Sequence, residues 1–227
     1  MILSGNLPRV AALARAAPRV LDVGGWWRPL NLATHVVDMM PYATRRQHDV
    51  LDPENQPRFS EATWFRLDAC RPPWPFPDKF FDFSFCSHTL EDVRDPIAIC
   101  GELVRVAKAG YIETPSRERE IFGKARGFRL RVALGRMPEI GFAHHRWLVE
   151  IAGSHVRFLP KDLRLVRSPR HYITRGDLGR KLSESESGVA LFWEGGFTFE
   201  EASIEADAEL RRFRDAALAR LRWARPG

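Results

Sequence analysis

Cysteine is scarce in this chain of 227 residues. Cys70, Cys86 and Cys100 are an odd number, with no CxxC pair and no Cys/His spacing of a zinc site. This excludes a disulfide framework, predicts no metal site, and makes the three read as reduced thiols of a cytoplasmic protein. Long apolar runs are missing as well. The apolar stretch from Val10 to Ala17 is interrupted by Arg15, so neither a membrane span nor secretion through a leader is expected. There is no GxGxxG and no internal repeat.

What is present is ordinary for a folded domain. Hydrophobic residues make up 44% and charged residues 28%, and a chain of this size buries roughly 70 to 75% of its unfolded surface. The formal net charge is +6. The densest basic stretch is Arg126, Arg129, Arg131 and Arg136, followed by Arg211, Arg212 and Arg214. No nucleic-acid-binding signature accompanies them, so they read as a solvated face.

Strand and helix signals alternate along the first half. Pro8 opens a helical segment, Arg9 to Ala17, and Pro18 closes it. Short apolar runs follow at Arg19–Val23, ending in Gly24-Gly25, and at His35–Asp38, ending in Met39-Met40-Pro41. Trp64–Asp68 and Phe81–Cys86 are the next strands, and Tyr111–Thr114, stopped by Pro115, is the fifth. Asp95-Pro96 starts a helix that sets Ile99, Leu103 and Val106 on one face. The pattern predicts an α/β, Rossmann-like, mostly parallel sheet with helices on both faces, whose ligand sits at the carboxyl ends of the strands. The connection from Asp22 to Asp38 is short, so its crossover helix must be abbreviated.

After Pro115 the pattern changes. Arg117 to Pro138 is charged and partly helical. Arg146–Ile151 and Val156–Leu159, flanking Gly153-Ser154, predict a hairpin. Leu191-Phe-Trp and Phe197-Thr-Phe suggest later strands. From Ser203 to Trp223 the residues Ala206, Leu210, Phe213, Ala217 and Leu221 fall at helical spacing, a packing face. Residues 1–122 are expected to form the ligand-binding core. Residues 123–227 are the rest of the same domain, a hairpin and C-terminal helix that cover the acceptor site.

Four pieces of sequence occur in a telling order: Leu67-Asp68, then Trp74-Pro-Phe-Pro-Asp78, then Phe81-Asp82, then Ser87-His-Thr-Leu-Glu-Asp-Val-Arg-Asp-Pro96. Together they resemble the class I S-adenosylmethionine-dependent methyltransferases of the type 11 kind, from about Arg19 to Pro115. The resemblance implies an enzyme that binds S-adenosyl-L-methionine and moves its methyl group to an acceptor. Asp22 would take the methionine ammonium beside Gly24 and Gly25, where a glycine lets backbone amides approach a ligand. Asp38, with Met39, would hold the ribose hydroxyls. Asp68 would accept from the adenine amine, with Ala69 and Cys70 beside the ring, and Ser87 and His88 would line the methyl end.

The sequence departs from the family twice. A further glycine usual in the first motif is replaced at Trp26 and Trp27, which either lid the pocket or pack, with packing favoured. The run from Val104 to Ser116 lacks the longer glycine turn before the fifth strand. With His145-Arg-Trp147, it resembles a bacterial subgroup of unknown acceptor.

Methyl transfer is an in-line displacement, so alignment and exclusion of water matter most, and a base is needed only for a protonated acceptor. His88, His144 and His145 are the candidates. His88 serves equally well as a positioning residue. On a strand, His144 and His145 would diverge, one lining the acceptor pocket and one facing solvent, which disfavours a shared metal. The chain has no Asn/Asp-Pro-Pro-Tyr/Phe motif and no Pro-Cys nucleophile of base methylation. Small-molecule or glycan acceptors are therefore expected, not nucleic acid. A nicotinamide dehydrogenase fits less well, and a catalytically silent cofactor-binding or interaction protein of the same fold is the second reading.

Overall fold

The structure is a computed structural model that describes residues 3–45, 56–125, 127–136, 139–162, 164–204 and 207–223. Its elements in chain order are α1 (Leu7–Ala16), β1 (Val20–Val23), β2 (His35–Asp38), β3 (Trp64–Arg66), β4 (Phe83–Ser87), α2 (Pro96–Val106) and β5 (Ala109–Pro115). They continue with α3 (Arg117–Glu120), β6 (Phe122–Gly123), α4 (Phe128–Ala133), β7 (Trp147–Ala152), β8 (His155–Pro160), α5 (Arg164–Arg167), β9 (Ile173–Thr174) and α6 (Arg175–Leu178). The last are α7 (Glu184–Ser187), β10 (Gly188–Glu194), β11 (Thr198–Glu201) and α8 (Asp207–Trp223). The chain divides into two compact units. One is Met1–Thr114 with Ile151–Val156 and Ala190–Glu200, and the other is Pro115–Glu150 with Arg157–Val189 and Glu201–Gly227.

The first unit is built on a six-stranded sheet in the order β10-β5-β4-β1-β2-β3. β1 pairs in parallel with both β2 and β4, β2 with β3, and β4 with β5. All four residues of β1 are buried, as a strand covered on both faces requires. Side chains alternate across the sheet. Val20, Phe83, Phe85 and Tyr111 cluster with Val10 and Ala14 of α1, whereas Cys86, on the opposite face of β4, lies near Cys100 of α2. One helix thus covers each face. Ala17, ahead of Pro18, is extended at φ −85° and ψ 123° and ends α1. Asp95 caps α2 by accepting from Ala98 N at 2.9 Å, with Pro96 at the first turn. The strand order reverses between β1 and β4, which makes the carboxyl ends of these strands the place for a ligand.

Between β1 and β2 no helix forms. Gly24 to Thr34 is a run of turns and bends, for which the abbreviated crossover was an underestimate. Pro29 and two glycines disfavour a helical turn in so short a span.

The second unit packs Ile121, Leu148, Leu159, Leu165 and Ile173 against Leu210, Ala217, Leu218 and Leu221 of α8. The stripe expected on α8 is present at Leu210, Ala217 and Leu221, and Phe213 is half-buried. Ala206 lies outside the described residues, as do Arg126 and Pro138. The hairpin β7–β8 turns at Gly153, φ +59°, and joins β11 in a three-stranded sheet.

Candidate functional site

β1 and β2 end side by side, with Asp22 opposite Val36 and Val23 opposite Val37. Gly24 takes φ +81°, and a Cβ there would stand 2.1 Å from Thr89 Oγ1, so only glycine fits. The loop that follows folds back on two carboxylates. Asp22, 1% exposed, accepts from Leu30 N at 2.8 Å. Asp38 accepts from Trp26 N at 3.0 Å on Oδ2 and from Met40 N at 2.8 Å on Oδ1. Gly25 packs against Asp22, since a Cβ on it would lie 2.5 Å from Asp22 Oδ2. Burial pushes the Asp22 carboxyl up to about 7, against the Leu30 bond that lowers it, and the Asp38 charge adds to the rise. Burial raises Asp38 too, opposed by the amides of Met40, Trp26 and Met39. Met39 is 64% exposed beside this acid. Trp26 packs on the core and donates Nε1 to Thr44 O at 2.9 Å, whereas Trp27 is largely exposed.

Asp68, Ala69 and Cys70 form a separate turn after β3, which Leu67 N holds to Asp38 O at 3.0 Å. Asp68 Oδ1 accepts from Cys70 N at 3.0 Å, while Oδ2 faces Arg94 Nη2 at 3.0 Å and Arg71 Nε at 3.3 Å. Ala69 O accepts from Trp74 Nε1 at 3.0 Å. The sequence reading had not included Arg94 among the partners of Asp68.

Ser87 ends β4 opposite Glu113 of β5, and His88 follows in a left-handed conformation, φ +54°. Its ring lies between two buried carboxylates, with Nε2 3.2 Å from Glu113 Oε1 and Nδ1 3.3 Å from Glu91 Oε1. Burial alone would lower the imidazole, but Glu113 and Glu91 outweigh it and raise it to about 9. Glu113 also accepts from the Tyr111 hydroxyl and from Leu3 N, at 2.9 Å, and Asn6 Nδ2 donates to Tyr111 Oη at 3.0 Å. Neither carboxylate oxygen of Glu91 makes a hydrogen bond among the described residues. Sequence reasoning missed Glu113 and Glu91 as partners of His88, and Tyr111 as a partner of Glu113. The available signal was a charged residue inside the otherwise uncharged strand Tyr-Ile-Glu-Thr.

His144 and His145 belong to the second unit and are not on a strand. They lie in the turn before β7, with rings 4.5 Å apart, so the divergence expected of strand neighbours is corrected. His144 is exposed. His145 is buried, its Nδ1 2.7 Å from Glu120 Oε1. Lys161 Nζ donates to Glu120 Oε2 at 2.6 Å and to Phe142 O at 2.5 Å. Burial would raise the Glu120 carboxyl, but His145 and Lys161 hold it below its ordinary value.

A parallel sheet with acidic residues at the ends of β1 and β2, and a glycine turn at the switch point, defines a nucleotide-type binding fold. Within it, residues 21–112 match the family model of a methyltransferase domain. This stretch is under half of the chain, and the group to test against it is S-adenosyl-L-methionine, the cofactor that the sequence resemblance implies. The chemistry of its groups fits. Carboxylates accept only, and the cofactor offers an ammonium, two ribose hydroxyls and an adenine amine, all donors.

Three solved structures show partial likeness. One, from Bacillus halodurans C-125 and provisionally named a methyltransferase, is 19% identical with a TM-score of 0.37, over 51% of each chain. An S-adenosylmethionine-dependent methyltransferase from Mesorhizobium loti is 14% identical with a TM-score of 0.36, over 55% of this chain and 61% of that one. Another from Thermotoga maritima is 20% identical with a TM-score of 0.33, over 58% and 57%. The matches thus span between half and two thirds of these relatives' lengths. No curated protein is significantly similar to the chain.

Proposed function

We propose that the chain is an S-adenosylmethionine-dependent methyltransferase acting on an oxygen or nitrogen of a small-molecule or glycan acceptor. The observation that carries this reading is the pair Asp22 and Asp38 at the ends of adjacent parallel strands, inside the stretch that matches the methyltransferase family. Three unbonded thiols fit a cytoplasmic protein.

Each residue has a defined task in this reading. Asp38 is the acceptor for the ribose hydroxyls, with Met39 beside the sugar. Asp22, buried next to Gly24 and Gly25, supplies negative charge for the methionine ammonium. Asp68 accepts from the adenine amine, and the backbone of Ala69 and Cys70 borders the ring. The cofactor supplies a sulfonium methyl that needs no further activation. Transfer would leave S-adenosylhomocysteine and the methylated acceptor, and the proton of a protonated acceptor would pass to solvent.

Ser87 and His88 border the methyl end. Because both ring nitrogens of His88 face carboxylates, it acts as a proton-holding positioning residue and not as a free base at neutral pH. Of His144 and His145, the exposed His144 has the ring accessible to an acceptor.

One observation favours the second reading, a catalytically silent binding protein. Loop amides of Leu30 and Trp26 already occupy Asp22 and Asp38. Calorimetry with S-adenosylmethionine, followed by assay of S-adenosylhomocysteine release against acceptor libraries and cell extract, separates the two. Binding with turnover supports the enzyme, binding without turnover supports the silent cofactor-binding protein, and no binding sinks both and leaves only an interaction protein of the same fold.

A further inference from the structure

The densest basic stretch of the sequence plays no part in the donor site. It lies in the second unit, on α4 and the turn after it, where Arg129, Arg131 and Arg136 are exposed. Leu130 of α4 and Leu134, the residue that caps its C-terminal end, are 65% and 69% exposed there. No acidic residue occurs from Gly127 to Pro138.

Asp177 ties this helix to others of the unit. Its Oδ1 is 2.7 Å from Arg129 Nη2 and 3.8 Å from Arg214 Nη2, and its backbone oxygen accepts from Arg222 Nη2 at 3.3 Å. The end of α8 thus reaches Asp177 through Arg222, and its Trp223 is 90% exposed. Between α4 and α6 is an open cleft of about 540 Å³, lined by Phe128, Arg129, Leu130, Thr174, Arg175 and Asp177 among others. Asp177 Oδ2 is taken by Thr174 N and Oγ1 at 2.9 and 2.8 Å. The Arg175 guanidinium has no partner among the described residues, so the uncompensated charge in the cleft is positive.

Exposed leucine and tryptophan beside arginines, with no acid from Gly127 to Pro138 and with Asp177 already paired to Arg129, match the headgroup layer of an anionic bilayer. We propose that this face of the second unit docks on a membrane containing anionic phospholipid. Leu130, Leu134 and Trp223 enter the acyl boundary, the exposed arginines meet phosphates, and Arg175 takes one headgroup in the cleft. Charge selects this occupant over a second copy of the chain, because two copies would set arginines of one sign against each other. No helix among the described residues is long and apolar enough to cross a membrane, so the attachment is peripheral.

Flotation of the full chain with phosphatidylcholine vesicles, with and without phosphatidylglycerol, tests this. Binding is expected only with phosphatidylglycerol and should weaken steeply with salt. Arg131→Gln should weaken it about 5-fold, the worth of one arginine at a charged surface. Leu130→Ser with Leu134→Ser should weaken it at least about 10-fold, with an unchanged thermal midpoint because both side chains are exposed. Equal binding to both vesicle types, no binding to either, or a double variant that binds like the parent would overturn the proposal. So would a dimer in solution that Leu130→Glu dissolves while vesicles are ignored, or inorganic phosphate binding without vesicle binding.

Discussion

The backbone N–H of Trp26 reaches Asp38 Oδ2 at 3.0 Å, which fastens the loop after the first strand to the acid that ends the second. Asp38 thus shapes this loop, and in the proposed site it also takes the ribose. Asp38→Ala removes the ribose acceptors and frees the loop. Cofactor affinity should fall by about 2 to 3 kcal/mol, roughly 30- to 150-fold in Kd. Isothermal calorimetry checks this, and an unchanged Kd removes Asp38 from the site.

The Asp22 carboxyl is raised from 3.8 to about 7, so between these values the folded chain holds a proton that the unfolded chain has lost. Stability from this group therefore declines as pH rises from about 4 to about 7. Asp22→Asn keeps an acceptor for Leu30 N and carries no charge. The thermal midpoint of the variant relative to the parent should climb across that window. A difference flat with pH would show that Asp22 ionises normally in the fold.

His88 has the opposite sign. Its imidazole is raised from 6.5 to about 9, so its contribution is complete below about 6.5 and is lost as pH rises through about 9. His88→Gln should be less stable than the parent at pH 6, and the gap should close toward pH 10, as thermal melts will register. Glu113→Gln should bring the His88 titration, followed by NMR, down toward its ordinary value. In turnover, His88→Gln should slow transfer without removing an ionisation between pH 6 and 8. Loss of such a limb would make His88 a base after all.

In the second unit, Glu120 is fully buried between His145 and Lys161. Glu120→Ala leaves two partners and the Phe142 N–H without their acceptor, and should cost about 3 to 5 kcal/mol in urea unfolding. Glu120→Gln, which keeps an acceptor, should cost less. Equal losses would point to packing instead of charge.

Much of the sheet was legible because its signals are local. Pro18 stops α1, Asp95-Pro96 starts α2, and the apolar run around Phe83–Cys86 announces a strand covered on both sides. The glycine at position 24 was legible for the same reason, since its turn lies directly after β1. The partners of the candidate site were not. Glu113, held by the Tyr111 hydroxyl, meets His88 from the neighbouring strand, and Arg94 reaches Asp68 from the segment before α2. The turn holding His144 and His145 was misread as strand because the strand signal at Trp147 begins only two residues later.

From its amino acids alone the chain was committed to strands and helices in α/β order, to acids at strand ends and to a positive-φ glycine, because hydrophobic period, proline and glycine act over a few neighbouring residues. Only the tertiary structure decided that a loop amide would claim Asp38, that Glu113 of a neighbouring strand would join the nearby Glu91 at His88, and that arginines from α4 and α8 would converge on Asp177. Burial and charge act through space, and the distances that set them exist only once the chain has folded.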